Sequence, residues 1–465
     1  MKTSEKPVEL PDSLGEPWSR SKFLATGAMG LAALLAGLAS CRRADGIVPT
    51  FEGRVVVIGG GAAGLYAAWL LKGLGIRVTV LEATDRTGGR MRSLNGWCSF
   101  PVDQGAEEVH GERSLWHRLA ATQNTLTPTD NYPSYWHDGQ QWRNTDDLEQ
   151  DAAWQDVQTF LDGLENGANS GQSVEQAAVA AGIDARFLPY INAVTGNEQG
   201  TSFEKLSAGG WGLYNRNWDS GARNFQGERS GMYETLLGCL PGVEDLVETR
   251  AVVRRIDYTR NPVRITLLDG RVWEAERVLI TASLGVLQKN FIAFEPPLSE
   301  QRKNAFSSMG MGEGMKIHLR FRERFWPGDA GAFYGNGMIP EFWEATGSSE
   351  SEAVLCAFVN GASAAQLSAQ PQGILAAALD DLERLFPGKA KSTYRDGKLM
   401  NWTTASFING TYSYPIVGIN PERALAGLPI SNALYFAGEA YHATASGTVQ
   451  GALETAAAAV KLMVQ

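Results

Sequence analysis

The stretch that most constrains this chain is RVVVIGGGAAGLYAAWLLKGLGIRVTVLEA, which begins at Arg54. Two apolar runs flank a helix of small residues, the pattern of a strand–helix–strand unit. Gly59, Gly61 and Gly64 place G-x-G-x-x-G at the strand-to-helix turn. There the first glycine permits a tight turn, the second lets the backbone approach a pyrophosphate, and the third lets the helix pack on the strand. The helix N-terminus turns unpaired N–H groups and a positive dipole end toward those phosphates. Glu82, which closes the second run, is placed to accept a ribose 2′-hydroxyl, favouring an adenosine diphosphate without a 2′-phosphate. The glycine spacing alone says little. Inside a strand–helix–strand unit with a terminal carboxylate, it predicts an α/β dinucleotide-binding domain.

At 465 residues the chain is too long for that domain alone, and two or three are expected. The 41 basic and 51 acidic side chains leave a formal charge of −10, which supplies no broad basic face for nucleic acid. Five scattered histidines and the lack of a Cys-x-x-Cys pair argue against a metal site. At the N-terminus, Arg20 and Lys22 precede an uncharged run that leads into LASC, residues 38–41. The segment resembles a bacterial lipoprotein signal, with 1–40 removed, Cys41 lipidated and 41–50 as a linker. SRSKFL also resembles a twin-arginine signal in which Ser21 stands for the second arginine. The alternative is an uncleaved anchor helix, although so short a run of Gly and Ala spans a bilayer poorly. Export to the periplasm or cell envelope is therefore expected. The chain ends at Gln465 directly after its last helix, so no C-terminal membrane tail is expected. Cys98, Cys239 and Cys356 read as buried inert thiols, or as one free thiol available to another chain.

Two further segments carry glycine turns. TDRTGGRMRS, residues 84–93, sets a glycine pair beside Arg90, which suits a guanidinium fork on phosphate or an ordinary solvated basic turn. LYFAGEAYHATASGTVQGALETAAAAV, residues 434–460, runs an apolar strand into the Gly438–Glu439 corner and then an alanine-rich helix starting near Thr448. Between them lie VDQGAEEVHG (102–111), VLITASLGVLQ (278–288), FEPPLSEQRKNAFSSMGMGEGMKIHLRF (294–321) and NWTTASFINGTYSYPIVG (401–418). In this order the segments resemble those of the flavin-containing amine oxidases, and more narrowly the branch of polyamine oxidases and lysine-specific histone demethylases. The likeness covers almost the whole chain after residue 53.

That resemblance implies a Rossmann-like FAD-binding domain built from 51–131, 225–309 and 424–465. It would interleave with a mixed α+β substrate-binding domain formed by 132–224 and 310–423. It implies cofactor contacts at Gly59, Gly61, Ala63, Gly64, Glu82, Arg90, Val253, Gly438, Glu439, Thr448 and Val449. Glu439 would accept ribityl hydroxyls, and the helix beginning near Thr448 would stabilise negative charge on the reduced flavin. Thr411 stands where mitochondrial monoamine oxidases carry their flavin-linked cysteine, so FAD is expected to be non-covalent.

The catalytic set implied is Lys316, Tyr412, Thr448, Trp402 and His110. Lys316 matches the lysine that bonds through water to flavin N5, although its alternation with Met315 and Ile317 also suits an outward-facing strand residue. Tyr412 matches one wall of the aromatic cage for the amine, with Thr448 in place of the second. Trp402 matches a pocket tryptophan, or is simply core. His110 stands near where polyamine oxidases meet a distal nitrogen, or on a surface turn. Glu107, Glu108 and Glu198 could add negative potential for a polycation, but each reads first as a solvated acid.

The reaction implied is oxidation of a primary or secondary amine to an imine and aldehyde by hydride transfer to N5, with O2 or another acceptor reoxidising the flavin. Competing readings are an L-amino-acid oxidase, for which no carboxylate-binding arginine can be placed, a carotenoid-type desaturase, and a non-catalytic flavin-binding envelope protein.

Overall fold

The computed structural model describes residues 49–129, 132–167, 171–328, 330–345, 347 and 352–465. The signal-like stretch 1–40, Cys41 and nearly all of the 41–50 linker lie outside the described residues.

The apolar run Arg54–Ile58 is a strand whose Val55, Val56 and Val57 are fully buried. A strand covered on both faces needs such an uninterrupted run, because neither face meets water. It lies at the centre of a five-stranded parallel sheet in the order Val247–Glu248, Arg77–Leu81, Arg54–Ile58, Arg277–Ile280, Leu434–Phe436. The helix Ala62–Gly73 leaves the central strand, and the last helix, Val449–Val464, packs against it. Ala456, Ala457 and Ala459 are buried on that last helix, where small side chains let two helices approach closely. The glycine-turn helix Ala62–Gly73 and the last helix therefore meet in one layer.

A second, seven-stranded sheet carries the other half. Its order is Tyr394–Asn401, Gly314–Phe321, Ala353–Asn360, Glu341–Glu344, Ala332–Tyr334, Ser134–His137, Trp142–Asn144. Along Gly314–Phe321 the odd positions Met315, Ile317, Leu319 and Phe321 share a core with Ile374, Ala378 and Leu382 of the helix Ile374–Leu385. Strand residues alternate between faces, so Lys316, His318 and Arg320 must point the other way. Helix packing on one face thus directs the lysine toward the site.

The α/β class with an interleaved second domain of mixed sheet and helices is borne out. Two of the expected boundaries fall inside strands: 224/225 within Asn224–Gly227 and 309/310 within Met309–Met311. Both strands pair across the junction, and residues Thr50–Gln465 form one compact unit. Cys98, Cys239 and Cys356 are free thiols, and burial pushes Cys239 up to about 11. No helix among the described residues is long and apolar enough to cross a membrane.

Candidate active site

A continuous cavity of about 1240 Å³ runs from Gly59, Gly61 and Glu82 to Lys316, Tyr412 and Glu341. At the first end the three glycines have three different reasons to be glycine. Gly59 has φ +111°, a conformation that side chains rarely adopt. A Cβ on Gly64 would lie 1.9 Å from the Gly59 carbonyl oxygen, so this position seats the helix on its strand. Gly61 has φ −79°, open to any residue, and a Cβ there would find no neighbour closer than 4.0 Å. Nothing within the protein requires glycine at 61, and its side-chain space opens onto the helix N-terminus and the cavity. Nearby, the buried Glu82 carboxylate accepts from Gly60 N at 2.7 Å and from Thr84 N and Oγ1 at 2.8 and 2.7 Å.

The glycine turns at 88–90 and 438–439 are tied to each other. Arg90 Nη1 donates to Glu439 Oε1 at 2.9 Å and to the Thr411 carbonyl at 2.6 Å. The other oxygen of Glu439 accepts from Ser413 Oγ at 2.7 Å and Gly447 N at 2.9 Å, while buried Arg423 donates to Ser413 Oγ and the Ala440 carbonyl. Burial pushes the Glu439 carboxyl up, but Arg90, the Ser413 hydrogen bond and Arg423 more than offset it and leave it below the ordinary glutamate value. Both side chains line the cavity, so the expected cofactor contacts stand beside a role the sequence did not show, in which Glu439 and Nη1 of Arg90 brace one another. A carboxylate buried this deeply needs a cation beside it. Gly438, at φ +146°, makes the corner that brings Glu439 there.

Thr448 caps the last helix, accepting from Gly451 N at 3.0 Å and donating to the Ala445 carbonyl at 2.8 Å. It lines the cavity with Val449, but its hydroxyl is engaged as a cap. Tyr412 lines the cavity and donates to the Glu198 carbonyl. Trp402 also lines it and donates to the Gln104 carbonyl at 2.9 Å, so its ring is both wall and core. His110 lies on the cavity wall beside Asn224, with Nδ1···Oδ1 3.0 Å, and near Glu108 at 3.8 Å. Val253 is the exception. It is buried in the core beneath the four-stranded sheet and is not among the residues lining the cavity. The strand carries it inward, where its apolar side chain gains more from packing.

Lys316 is buried, and its ammonium reaches Glu107 Oε2 at 2.6 Å. Burial alone would push the lysine pKa down, but Glu107, then Cys356 and Asp103, hold it above the ordinary value. Cross-strand register pairs Lys316 with Phe358, and Phe358 with Glu341, so lysine, phenylalanine and glutamate stand in one row across three strands. Glu108, Glu198 and Glu341 also line this end, with Tyr214, Trp218 and Trp343. Glu198 is open to the cavity yet enclosed by protein, and burial with the charges of Glu341 and Glu108 raises its pKa well above the usual range. Burial and Glu108 push Glu341 up to about 8, and burial raises Glu108 as well. Reading Glu107 as a solvated acid is therefore corrected, since it is buried against Lys316; Glu108 and Glu198 keep part of their surface exposed, but on the cavity wall. Glu341 and Trp343 were missed, although the alternation in EFWE already sets them on one face, opposite Phe342.

Comparison with known proteins adds the family. Residues 241–464 match the model for flavin containing amine oxidoreductases, and 57–121 match that for the NAD(P)-binding Rossmann-like domain. The chain belongs to the flavin amine oxidase superfamily. Within it, lysine-specific histone demethylase 1B of Mus musculus is 27% identical over 436 residues, covering 86% of this chain and 51% of the relative. Polyamine oxidase 4 of Oryza sativa subsp. japonica is 27% identical over 448 residues, covering 89% and 90%. The chain spans about half the length of the demethylases it matches. Among solved structures, cyclohexylamine oxidase from Brevibacterium oxydans IH-35A shares the fold at TM-score 0.75 and 21% identity, over 89% of this chain and 98% of that one. A putrescine oxidase bound to putrescine does so at TM-score 0.75 and 19% identity, over 88% and 98%.

The cofactor of this superfamily member is FAD, and the cradle fits it. The space before Gly61 would take the pyrophosphate against the helix N-terminus, and Glu82 retains lone pairs for a ribose hydroxyl. Gly61→Val makes a discriminating variant, because its Cβ finds no protein atom closer than 4.0 Å while the side chain projects into that space. The variant is expected to melt within about 2 °C of wild type stripped of cofactor and to purify colourless. A yellow variant with full FAD content would contradict this assignment.

Proposed function

We propose that this protein is an FAD-dependent amine oxidase acting on a di- or polyamine, oxidising a primary or secondary amine to an imine that hydrolyses to an aldehyde, with O2 or another acceptor taking the electrons. The observation that carries this reading is the cluster of Glu108, Glu198 and Glu341 in the cavity that also leads to the dinucleotide cradle. Three carboxyls, of which Glu341 is buried and Glu108 and Glu198 open onto the cavity, crowd one another and remain partly protonated when no cation is near. An ammonium entering among them would restore their charge and displace protons. Tyr214, Tyr412, Trp343 and Phe358 wall the same chamber, exclude water and present ring faces to a cationic or alkyl amine. Polyamine oxidase relatives that align over nearly their whole length support the same substrate class.

Bound FAD supplies the two-electron acceptor for the C–H bond beside the reacting nitrogen. The protein's own residues then have three tasks. The carboxylates hold the distal ammonium and so fix which carbon faces the flavin. A carboxylate can also take the proton that the reacting ammonium must lose, because oxidation needs a neutral amine. The aromatic walls keep the chamber dry until the imine leaves.

Anaerobic mixing of the purified protein with a diamine, a monoamine of equal length and an L-amino acid tests this. The diamine should bleach the flavin band fastest. Bleaching by the amino acid alone, or by none of the three, would overturn the reading. The carboxyl near 8 adds a pH signature: KM for a diamine should fall as pH rises through about 8, since the free site must lose a proton to accept the cation.

We further propose export to the cell envelope and lipid attachment through Cys41, a reading supported by the sequence pattern alone. Fatty-acid labelling lost in Cys41→Ser would support it, and equal labelling would refute it.

A further inference from the structure

One indole grips both members of the buried ion pair. Trp343 Nε1 donates toward both Glu107 oxygens at 3.3 Å, and its ring centroid lies 4.9 Å from Lys316 Nζ. Carboxylate, ammonium and indole come from three segments: the 104–108 stretch and the strands Gly314–Phe321 and Glu341–Glu344. Trp343 is itself set edge-on against Phe358, with centroids 5.3 Å apart. Each contact fixes the other two.

We propose that Glu107 and Trp343 are positioning residues that hold Lys316 as a fixed ammonium donor on the cavity wall, so that it does not serve as the base that deprotonates the substrate. This rests on reading the cavity as the amine oxidase site. A lysine at this burial without a partner would lose its proton near neutral pH. The 2.6 Å charge-assisted bond to Glu107 opposes that loss, and so does the indole face. Other groups around the ammonium are Asp103, whose carbonyl oxygen lies at 3.5 Å, Glu108 on the adjoining segment and Glu341 on the neighbouring strand. Cys356 on Ala353–Asn360 and His318 on the lysine's own strand complete the set, and Met400 stands opposite on Tyr394–Asn401. The carboxylates among them act in the same direction as Glu107. His318, which burial and the lysine's charge hold neutral at about 3, adds no opposing charge. The substrate proton must then go to the Glu198–Glu341 side or to solvent, not to Lys316.

The test is amine-selective acetylation of the full chain as purified, followed by peptide mass spectrometry at Lys316 across about pH 7 to 12, a window that reaches above the ordinary lysine value. In Glu107→Gln the half-labelling pH should fall by about two units relative to wild type. In Trp343→Phe, which keeps a ring face but loses the N–H donor, it should fall by less than about one unit. If Glu107→Gln does not fold by circular dichroism, Glu107→Asp should show a smaller shift of the same sign. Superimposable curves for wild type and the folded Glu107 variant would overturn the proposal. Protein that neither holds FAD nor is bleached by amines would instead sink the functional reading, leaving the labelling curve to judge the ion pair alone.

Discussion

Glu439→Ala is expected to destabilise the protein by about 3–5 kcal/mol and to release its FAD, because removing one partner of a buried ion pair leaves the other uncompensated. Arg423 is the more exacting survivor. It is fully enclosed, burial already lowers its pKa to about 10, and Glu439 is the foremost charge opposing that fall. The backbone at Gly447 and the side chain of Ser413 lose the same acceptor, so the loop leading to the helix cap at Thr448 loosens with the pair. A thermal melt should drop by roughly 3–6 °C, and the protein should lose its colour on desalting. Glu439→Gln, which keeps an acceptor but no charge, should fall between wild type and alanine. An alanine variant that melts with wild type and stays yellow would show that this carboxylate holds nothing together.

The second large effect is expected from Glu198→Gln with Glu341→Gln. Losing two ligands for the distal ammonium should lower kcat/KM for a diamine about 100-fold, close to 3 kcal/mol. A monoamine of equal length should change little, and the ratio of the two is the measured quantity. Stability should move the other way. Glu341 has a folded pKa of about 8, above its unfolded value, so its contribution to stability is complete below about pH 4.3 and is lost as pH rises through about 8. The amide has no such loss. The melting temperature of the double variant should therefore pull ahead of wild type between those limits, with the gap fully open only above about pH 8. Equal loss with both amines, or no pH-dependent gap, would remove these carboxyls from the substrate site.

What the sequence revealed was the chemistry that is local in the chain. Gly59, Gly61, Gly64 and Glu82 lie within one strand–helix–strand unit, so their spacing read together with that pattern states their geometry. Lys316 was legible through the resemblance of its segment, since its alternation with Met315 and Ile317 equally suits an outward-facing residue. The helix Ile374–Leu385, packed on the odd face, is what turns the lysine's face to the cavity. The acidic chamber was not legible, because it depends on register between strands. Glu341 reaches the lysine's face only because Phe358 pairs with both, and no pattern within EFWE announces that partner. Glu107 read as solvated for the same reason, since its partner lies 209 residues away. Glu439 and Arg90 were each recognised within their own turns, but not as a pair. Val253 is the reverse case: a position carried over by resemblance whose side chain belongs to the core, so only its backbone is left to meet a cofactor.

The central claim is that one cavity holds FAD at the Gly61 and Glu82 end and an amine between Lys316, Tyr412 and the carboxylates at the other. A crystal structure of the FAD-loaded protein with a diamine bound tests it most directly. The claim predicts the pyrophosphate against the N-terminus of Ala62–Gly73, and an ammonium within hydrogen-bond reach of Glu198 or Glu341. A diamine seated outside this cavity, or an ammonium remote from both carboxyls, would contradict it.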